Sequence, residues 1–391
     1  MPSFSNFRFR FVLVLAVLLA GCGSGGGSTS TGPTQPTTPQ AAAPTISTST
    51  GNGAQNGAVI VSLASTAAGA TIYYTLDGST PTTSSQIYQA PFLVASNLTV
   101  NAIATAPGDA NSKVTTQTFS PNIASGTLVW SDEFSNSTNA NAEPNPQVWT
   151  YDTGTDCCGN NELETYCAWA STTGPCNPSN PNAYVGTDGY LHIIGLNPSA
   201  SVYTSARLKS QGLFSFKYGR IEAKMTLPES QGMWPAFWLL GNNIATISWP
   251  ACGELDIMEH INGSNPPPYV GGTPPGYDWI AGSVHGGTGS NVESGSQTYH
   301  PSGFSAAASH SYGMIWTKGQ IQYYVDDPVN NIYGTYKSTD SAWSPTPWPF
   351  DAGPQFIILN LAVGGDWPGS PDSTTVFPAN MLVDYVRIYT N

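Results

Sequence analysis

Apolar and polar residues alternate in short runs after residue 43, as in "AVIVSLA", "ATIYYTL" and "LTVNAIA". A period of two is typical of half-buried β-strands. Turn signals such as "LDGSTP" separate these runs, and their residues favour tight turns. The pattern predicts about five to seven short antiparallel strands, arranged as a small sandwich over residues 43–122. We assign residues 126–391 to a second domain.

The N-terminus carries an apolar run, "FVLVLAVLLA", that follows Arg8 and Arg10. This order is typical of a secretion signal, and the run is too short for a stable membrane span. The end of this run and the two residues after it, "LAGC" (residues 19–22), resemble a bacterial lipobox in which Cys22 is acylated; cleavage after small residues alone is the alternative. We predict a signal peptide over 1–21 and a flexible tether over 22–42. The protein is then exported and anchored by lipid at a bacterial membrane or cell surface.

The composition indicates β structure throughout the chain. The 391 residues suit two domains and include 41 glycines, 32 prolines, 19 tyrosines and 11 tryptophans. Aromatic residues favour strands, whereas glycine and proline favour turns. The formal net charge is −13, with only 11 lysines and arginines. Nucleic acid and sulfated polymers are therefore poor partners, because they bind basic patches.

The stretch "WPACGELDIMEHI" places Glu254, Asp256 and Glu259 among apolar residues, in a chain that is only 9% charged. Its proline and glycine argue against a helix. On a β-strand, Glu254 and Asp256 share a face, but Glu259 has the opposite parity. A β-bulge at Ile257 or Met258 would return Glu259 to that face. The three acids would then line one side of the strand.

Two opposed carboxylates can carry out glycoside hydrolysis. A retaining enzyme places a nucleophile and a proton donor about 5 to 5.5 Å apart, and nearby like charges raise at least one pKa. We expect Glu254 to be ionised and Glu259 protonated near neutral pH, with Asp256 between them. The alternative is a solvated acidic strand face, but its acids would normally alternate with lysine or threonine.

The acidic stretch resembles a known family. "GELDIMEH" is similar to the E-x-D-x-x-E signature of glycoside hydrolase family sixteen, in its bulged, laminarinase-like form. Further blocks similar to the family follow the chain order: "LVWSDEF", "GNNELETY", "YTSARLKS", "YGRIEAKMTLP", "GMWPAFWLL", "ILNLAVGGDWPG" and "VDYVRIY". The resemblance implies a β-jelly roll of two antiparallel sheets with an open cleft on the concave sheet. It also implies that Glu254 is the nucleophile, Glu259 the acid/base, and Asp256 the residue that holds and tunes the nucleophile.

The segment "GATIYYTLDGSTPT" resembles the immunoglobulin-like module found at the C-terminus of chitobiases and in many secreted polysaccharide enzymes. One interpretation is carbohydrate binding through Tyr73, Tyr74 or Tyr88. We favour the other, in which these rings fill a small core, because aromatic rings in short strands are mostly buried.

Several further residues are expected to contact the sugar. Trp234 and Trp238 lie four residues apart in a strand-like run, so they share a face on which flat rings can stack against pyranose C–H groups. Core packing is the alternative for Trp238. His285, in "GSVHGG", is expected to approach the acid/base, or else to be a hydrogen-bonded histidine near a turn. The resemblance places polar sugar-binding groups at Asn160, Glu162, Arg207 and Asn360.

Four cysteines cluster in a polar segment: Cys157, Cys158, Cys167 and Cys176. In an exported protein this cluster predicts two disulfides that pin a long loop. Metal binding is the alternative, but no histidine accompanies the cluster and the compartment is oxidising. The pairing stays open, except that adjacent cysteines are not expected to bond to each other. Cys252 is left as a buried free thiol.

Asp384, in "LVDYVRI", shares its strand face by parity with three apolar residues, Leu382, Val386 and Ile388. An ionised carboxylate on such a face needs a partner. The family resemblance implies a structural Ca²⁺ bound by Asp384 and by the backbone oxygens of Glu133 and Gly189, since hard oxygen ligands suit this ion. A salt bridge to an arginine is the alternative.

The sequence as a whole predicts a monomeric, retaining endo-β-1,3-glucanase that hydrolyses laminarin-type β-glucans. Two alternatives stay open. The first is a hydrolase or transglycosylase that acts on another neutral polysaccharide, such as mixed-linkage β-glucan or agarose. The second is a non-catalytic glucan-binding protein, although a binding module has no use for opposed carboxylates.

Overall fold

The computed structural model describes residues 38–135, 138–155, 159–261, 279–288 and 291–391. The predicted signal peptide, Cys22 and most of the predicted tether lie outside the described residues, as do Cys157 and Cys158. Residues 39–391 form one compact unit built almost entirely from strands, which confirms the all-β prediction. No helix within the described ranges is long and apolar enough to cross a membrane.

The N-terminal module has seven strands, within the five to seven that the alternating runs predict. Their bounds are β1 Thr45–Ser49, β2 Val59–Ala64, β3 Thr71–Thr75, β4 Gln86–Ile87, β5 Phe92–Val94, β6 Leu98–Thr105 and β7 Thr115–Phe119. They form a three-stranded sheet in the order β1-β2-β5 and a four-stranded sheet in the order β4-β3-β6-β7. All named strands of the module pair antiparallel.

The described part of residues 128–391 has seventeen strands, β8 to β24. Their bounds are Leu128–Asp132, Thr150–Asp152, Glu164–Tyr166, Ala183–Val185, Leu191–Ser199, Val202–Ser205, Arg207–Lys209, Gly219–Thr226, Met233–Gly241, Glu254–Glu259, Ile280–Thr288, Asn291–Tyr299, His310–Thr317, Gln320–Val325, Ile332–Lys337, Gln355–Val363 and Ala379–Tyr389. Helical structure in this part is limited to the α-helix α1, Ile244–Ile247, and two 3₁₀ turns, Ser341–Trp343 and Pro349–Asp351.

These strands form two large sheets that pack as a jelly roll. The ten-stranded sheet has the order β10-β13-β12-β24-β15-β20-β21-β22, with β11 beside β12 and β8 beside β24. The seven-stranded sheet has the order β19-β18-β17-β16-β23-β14-β9. One hydrophobic core lies between them, because each sheet turns its apolar residues inward.

Strand β16 shows how the sequence separates the two faces of the seven-stranded sheet. Phe237 and Leu239 are fully buried in the core. Trp234 and Trp238, at the alternate positions, are only partly buried. Because side chains alternate along a strand, the two tryptophans project from the outer face of this sheet.

The N-terminal module packs directly on the larger domain. Residues around Gly53 add a short antiparallel bridge to β8: Ser131 N donates to Gly53 O at 3.1 Å, and Gln55 N donates to Val129 O at 3.0 Å. The indole N–H of Trp130 donates to Asn52 O at 2.7 Å. The module thereby covers backbone groups of β8 that would otherwise need water.

The core is continuous across this contact. Ala54, Ala58, Ile60 and Leu93 of the module belong to the same buried cluster as the residues between the two large sheets. Ala41, from the end of the predicted tether, is also buried, and its N–H donates to Ala110 O at 2.9 Å. Packing of the module therefore begins before residue 43.

The module's tyrosines are mainly packing residues. Tyr74 is 3% exposed and stacks on Phe92 with ring centroids 5.3 Å apart. Tyr88 packs edge-on against Tyr74 at 6.3 Å, whereas Tyr73 is partly buried. The core-packing interpretation is confirmed for Tyr74, and the ring of Tyr88 contributes to the same cluster.

The predicted strand face of Asp384 is wrong. The pairing of β15 with β24 shifts register between Lys224 and Met225, because their partners are Tyr385 and Val383. Asp384 is the extra residue of this bulge, so the parity of β24 changes there and Val386 is buried while Asp384 is partly exposed. The side chain of Asp384 thus lies off the apolar face and accepts a hydrogen bond from Lys224 Nζ at 2.9 Å.

We predict that Gly53→Ala destabilises the protein more than Gly108→Ala. Both glycines have positive φ, +90° and +83°, so each substitution carries a backbone cost of about 1–2 kcal/mol. A Cβ at residue 53 would lie 2.3 Å from Ser131 O, whereas a Cβ at residue 108 meets nothing within 4 Å. Steric overlap should add about 1–3 kcal/mol for Gly53→Ala, measured by urea unfolding. Equal losses in the two variants would contradict a tight junction.

Candidate active site

The three acids of β17 meet on one face because the strand contains a bulge. Opposite β16, Trp238 pairs with Asp256 and Phe237 pairs with Met258, which leaves Ile257 as the extra residue. The pairing of β17 with β18 shifts at the same place. The predicted bulge is confirmed, and it places Glu259 on the face of Glu254 and Asp256.

A tyrosine from the opposite sheet supports the bulge. The hydroxyl of Tyr333 donates to Ile257 O at 3.3 Å, so the extra carbonyl of the bulge has a partner in the core. Gly282, on the neighbouring strand β18, makes room for this contact, since a Cβ there would lie 2.5 Å from the Tyr333 hydroxyl. The bulge therefore depends on both sheets.

Burial dominates the electrostatics of the acids. Desolvation is the largest cause that raises the pKa of Glu254, Asp256 and Glu259, each to about 8. For Glu254, Asp256 raises the pKa further, whereas His285 and Arg207 oppose the rise. The three groups titrate as a coupled set. His285 also opposes the rise in the pKa of Glu259, so these pKa values do not separate an ionised Glu254 from a protonated Glu259, and that expectation stays a prediction.

Glu259 is held by a tryptophan. Trp234 Nε1 donates to Glu259 Oε1 at 3.0 Å, and this hydrogen bond opposes the rise in the pKa of Glu259. Trp234 in turn packs edge-on against Trp367 at 5.2 Å, and Trp367 packs against Trp279 at 6.1 Å. The acid/base candidate thus lies beside a cluster of aromatic rings, of which the sequence analysis identified only Trp234.

His285 lies on β18 directly opposite Glu254. Its Nε2 is 3.1 Å from Asp256 Oδ2 and 3.9 Å from Glu254 Oε1, while its Nδ1 lies 2.7 Å from Ser294 Oγ. The expected neighbour was Glu259; the structure instead places the ring nearest the other two acids. A histidine in this position can share a proton with the pair.

A chain of hydrogen bonds links most of the predicted sugar-binding residues. Trp238 Nε1 donates to Asn360 Oδ1 at 2.8 Å, and Asn360 Nδ2 donates to the Tyr166 hydroxyl at 3.3 Å. That hydroxyl donates to Glu162 Oε2 at 3.3 Å, and Asn160 Nδ2 donates to Glu162 Oε1 at 3.2 Å. The structure therefore brings these predicted residues together beside the acids.

Arg207 joins the same group. Its guanidinium lies over the Trp238 ring, 4.6 Å from the centroid, and its Nε is 3.0 Å from Asp152 Oδ2. Arg207 is 8% exposed, so it holds Trp238 by cation–π contact and presents little free surface. The ring of Trp238 also packs on the small cluster around Cys252, so Trp238 combines core packing with an outward edge.

Some site residues were missed by the sequence analysis. Trp249 is 47% exposed and its ring lies 6.4 Å from that of His285; it stands within the quoted acidic stretch, five residues before Glu254. Glu164 is buried, and burial together with Glu162 raises its pKa to about 8. Its Oε2 accepts a hydrogen bond from Val363 N at 2.7 Å, which no local pattern reveals.

The predicted cysteine pairing is wrong in one respect. With a bond between adjacent cysteines excluded, two disulfides in the cluster require Cys167 and Cys176 each to bond to Cys157 or Cys158, but Cys167 and Cys176 form a disulfide with each other. Cys157 and Cys158 lie outside the described residues. Cys252 is a buried free thiol, and burial raises its pKa to about 12. It is therefore protonated at neutral pH and is no nucleophile.

Strand register brings the predicted calcium ligands to the same part of β24, an inner strand of the ten-stranded sheet. Asp132 pairs with Val386 and Leu191 pairs with Val383; Glu133 follows Asp132, and Gly189 lies two residues before Leu191. Strands lie about 4.8 Å apart, and carboxylate and carbonyl oxygens suit Ca²⁺. The donor set fits the ion, although Lys224 already neutralises Asp384.

Comparison with known proteins gives two family matches. Residues 61–119 match the family described as "Fn3 associated", and residues 186–387 match "Glycosyl hydrolases family 16". The chain is 36% identical to a β-glucanase of Rhodothermus marinus over 269 residues, covering 67% of this chain and 84% of that protein.

Two further relatives carry more specific names. The chain is 33% identical over 297 residues to glucan endo-1,3-beta-glucosidase A1 of Niallia circulans, covering 69% of this chain and 38% of that one. The crystal structure of the laminarinase catalytic domain from Thermotoga maritima MSB8 superposes with a TM-score of 0.56 and 34% identity, covering 68% of this chain and 99% of that one. The chain therefore belongs to glycosyl hydrolase family 16.

Proposed function

We propose that the protein is a retaining endo-β-1,3-glucanase acting on laminarin-type β-glucans. The observation that carries this proposal is the bulge at Ile257, which puts Glu254, Asp256 and Glu259 on one open sheet face. Relatives named for glucan endo-1,3-β-glucosidase and laminarinase activity support the linkage.

The reaction proceeds by double displacement. The Glu254 carboxylate attacks the anomeric carbon while Glu259 gives its proton to the leaving glycosidic oxygen. A water then attacks the anomeric carbon from the face that the leaving group vacated, opposite the bond to Glu254; Glu259 accepts its proton, and the bond to Glu254 breaks to release the carboxylate. Burial raises the pKa of both glutamates and so favours the protonated Glu259 that the first step needs, whereas His285 and Arg207 favour the ionised form of Glu254 that attacks.

The aromatic and amide groups beside the acids suit a neutral polysaccharide. The ring edges of Trp234 and Trp238 lie on the same sheet face as the acids, and the amides of Asn160 and Asn360 supply hydrogen-bonding groups beside them. Aromatic rings with amide groups of this kind bind pyranose faces and hydroxyls. We propose that these residues bind successive glucose units.

We further propose that the chain acts as a monomer at the bacterial cell surface. Two arginines, Arg8 and Arg10, precede an apolar run that ends at "LAGC". This order supports export of the protein and acylation of Cys22. Acyl chains would anchor the protein by burying methylene groups. An anchored enzyme would cut long glucans close to the cell.

A structural Ca²⁺ bound by Asp384, Glu133 and Gly189 is also proposed. The ion would supply positive charge where three strands meet, far in the fold from the β17 acids. It would stabilise the native state by mass action and take no part in bond cleavage.

Laminarin cleavage tests the substrate. The mature chain should release a ladder of oligosaccharides, with the β-anomer formed first, because retention conserves the configuration. Mixed-linkage β-glucan should be cut more slowly. Chromatography measures the product ladder and the two rates, and NMR of the first product identifies its anomer. No action on laminarin, together with strong cleavage of agarose, would contradict the proposed substrate but not the proposed mechanism.

The roles of the two glutamates predict different rescue. Glu254→Gln should abolish turnover of every substrate. Glu259→Ala should lower kcat by about 10²–10⁴-fold on glucan but regain activity with azide on an aryl glycoside, because that leaving group needs no proton. Glu229→Gln, which removes an exposed acid, is the control. Identical behaviour of the two catalytic variants on both substrates would contradict the assignment.

Removal of calcium should affect stability and not chemistry. Chelation should lower the Tm by several degrees, as expected for loss of a ligand that binds only the native state, and kcat of the folded enzyme should stay the same. Lys224→Met should enlarge the effect of chelation, since the ion would then be the remaining partner of Asp384. If the purified protein contains no calcium and its Tm changes neither with chelator nor with added Ca²⁺, the proposed site is wrong.

A further inference from the structure

Asp256 Oδ2 is a buried carboxylate oxygen beside the candidate nucleophile. Among the described residues it makes no hydrogen bond, although His285 Nε2 lies only 3.1 Å away. The two atoms are therefore close enough for a hydrogen bond but not aligned for one. A small rotation of the imidazole ring decides whether Asp256 gains a donor.

The orientation of that ring is set from its other side. Ser294, on the edge strand β19, pairs with His285 across β18 and β19, and its Oγ lies 2.7 Å from His285 Nδ1. A hydroxyl can donate to a bare Nδ1 or accept from a protonated one. In both states it holds Nδ1, and Nε2 stays directed at Asp256.

We propose that Ser294 is a positioning residue for the proposed hydrolysis: it holds His285 so that Nε2 lies against the Glu254–Asp256 pair. His285 bridges from Ser294 to Asp256, with Glu254 at 3.9 Å. When the ring is protonated, its charge stabilises the singly ionised form of the pair. Without Ser294 the ring turns freely and this stabilisation weakens.

The groups that face His285 determine the sign of the effect. Glu254 and Asp256 lie on β17, Ser294 lies on β19, and the Trp249 ring approaches from the segment before β17. Glu259 also lies within electrostatic reach. A cation beside carboxylates favours their ionised form, so its loss makes the first ionisation of the pair occur at higher pH.

The acid limb of the kcat/KM profile reports this first ionisation. His285→Ala should move it upward by about 1–3 pH units, the effect of removing a charge at this distance. Ser294→Ala should move it in the same direction by about 0.5–1 unit, because the ring is loosened and not removed. Ser294→Thr, which keeps the hydroxyl, should restore the wild-type limb.

Ser296→Ala is the matched control. Ser296 lies on the same strand two residues further, and its hydroxyl accepts from Ser283 Oγ at 3.1 Å, away from His285. This variant should keep the wild-type limb, and Tm measurements should show that Ser294→Ala is folded. If Ser294 has only a structural role, Ser294→Ala should change the Tm and leave the pH of the acid limb unchanged.

Imidazole ¹⁵N spectra test the proposal without substrate. The protein has five histidines, and His285→Ala identifies the signal of residue 285. Ser294→Ala should alter the ring-nitrogen shifts of that residue, whereas Ser296→Ala should not. Unchanged shifts and an unchanged acid limb in Ser294→Ala would overturn the proposal. Altered shifts in a chain that cleaves no glucan would instead overturn only the proposed function on which the kinetic role depends.

Discussion

The active-site geometry depends on a single extra residue in β17. Without the bulge at Ile257, Glu259 would project into the core, where an unpaired carboxylate is strongly unfavourable. With it, Glu254, Asp256 and Glu259 share one face. The hydroxyl of Tyr333 satisfies the carbonyl that the bulge releases, so residues of the ten-stranded sheet stabilise the geometry of the seven-stranded one.

The same arrangement explains the electrostatics. The acids are buried against a core, which raises their pKa values alike. Their neighbours differ: a tryptophan N–H donates to Glu259, whereas Arg207 opposes the rise in the pKa of Glu254. The two glutamates are therefore distinguished by the groups that contact them and not by burial.

The N-terminal module contributes to the stability of the catalytic unit. Its Ala54 and Leu93 extend the main hydrophobic core, and the backbone beside Gly53 pairs with β8. Because Trp130 is fully buried and bonds to the module, removal of the module would expose an indole and unpaired backbone groups. The module therefore packs as part of the catalytic unit and contributes to its stability.

Local patterns in the sequence determined the all-β class, the alternating strands of the module to within five to seven, and the bulge, because side-chain parity depends only on neighbours along the chain. The same reasoning failed at Asp384, because the bulge there arises from the pairing of β24 with β15. No neighbouring acid of the opposite parity indicates this bulge in the sequence. Tertiary structure alone decided which groups meet: Ser294 beside His285, Trp367 beside Trp234, and Arg207 over Trp238. These contacts join residues that are distant in sequence, and sheet order and register, which no local pattern encodes, bring them together.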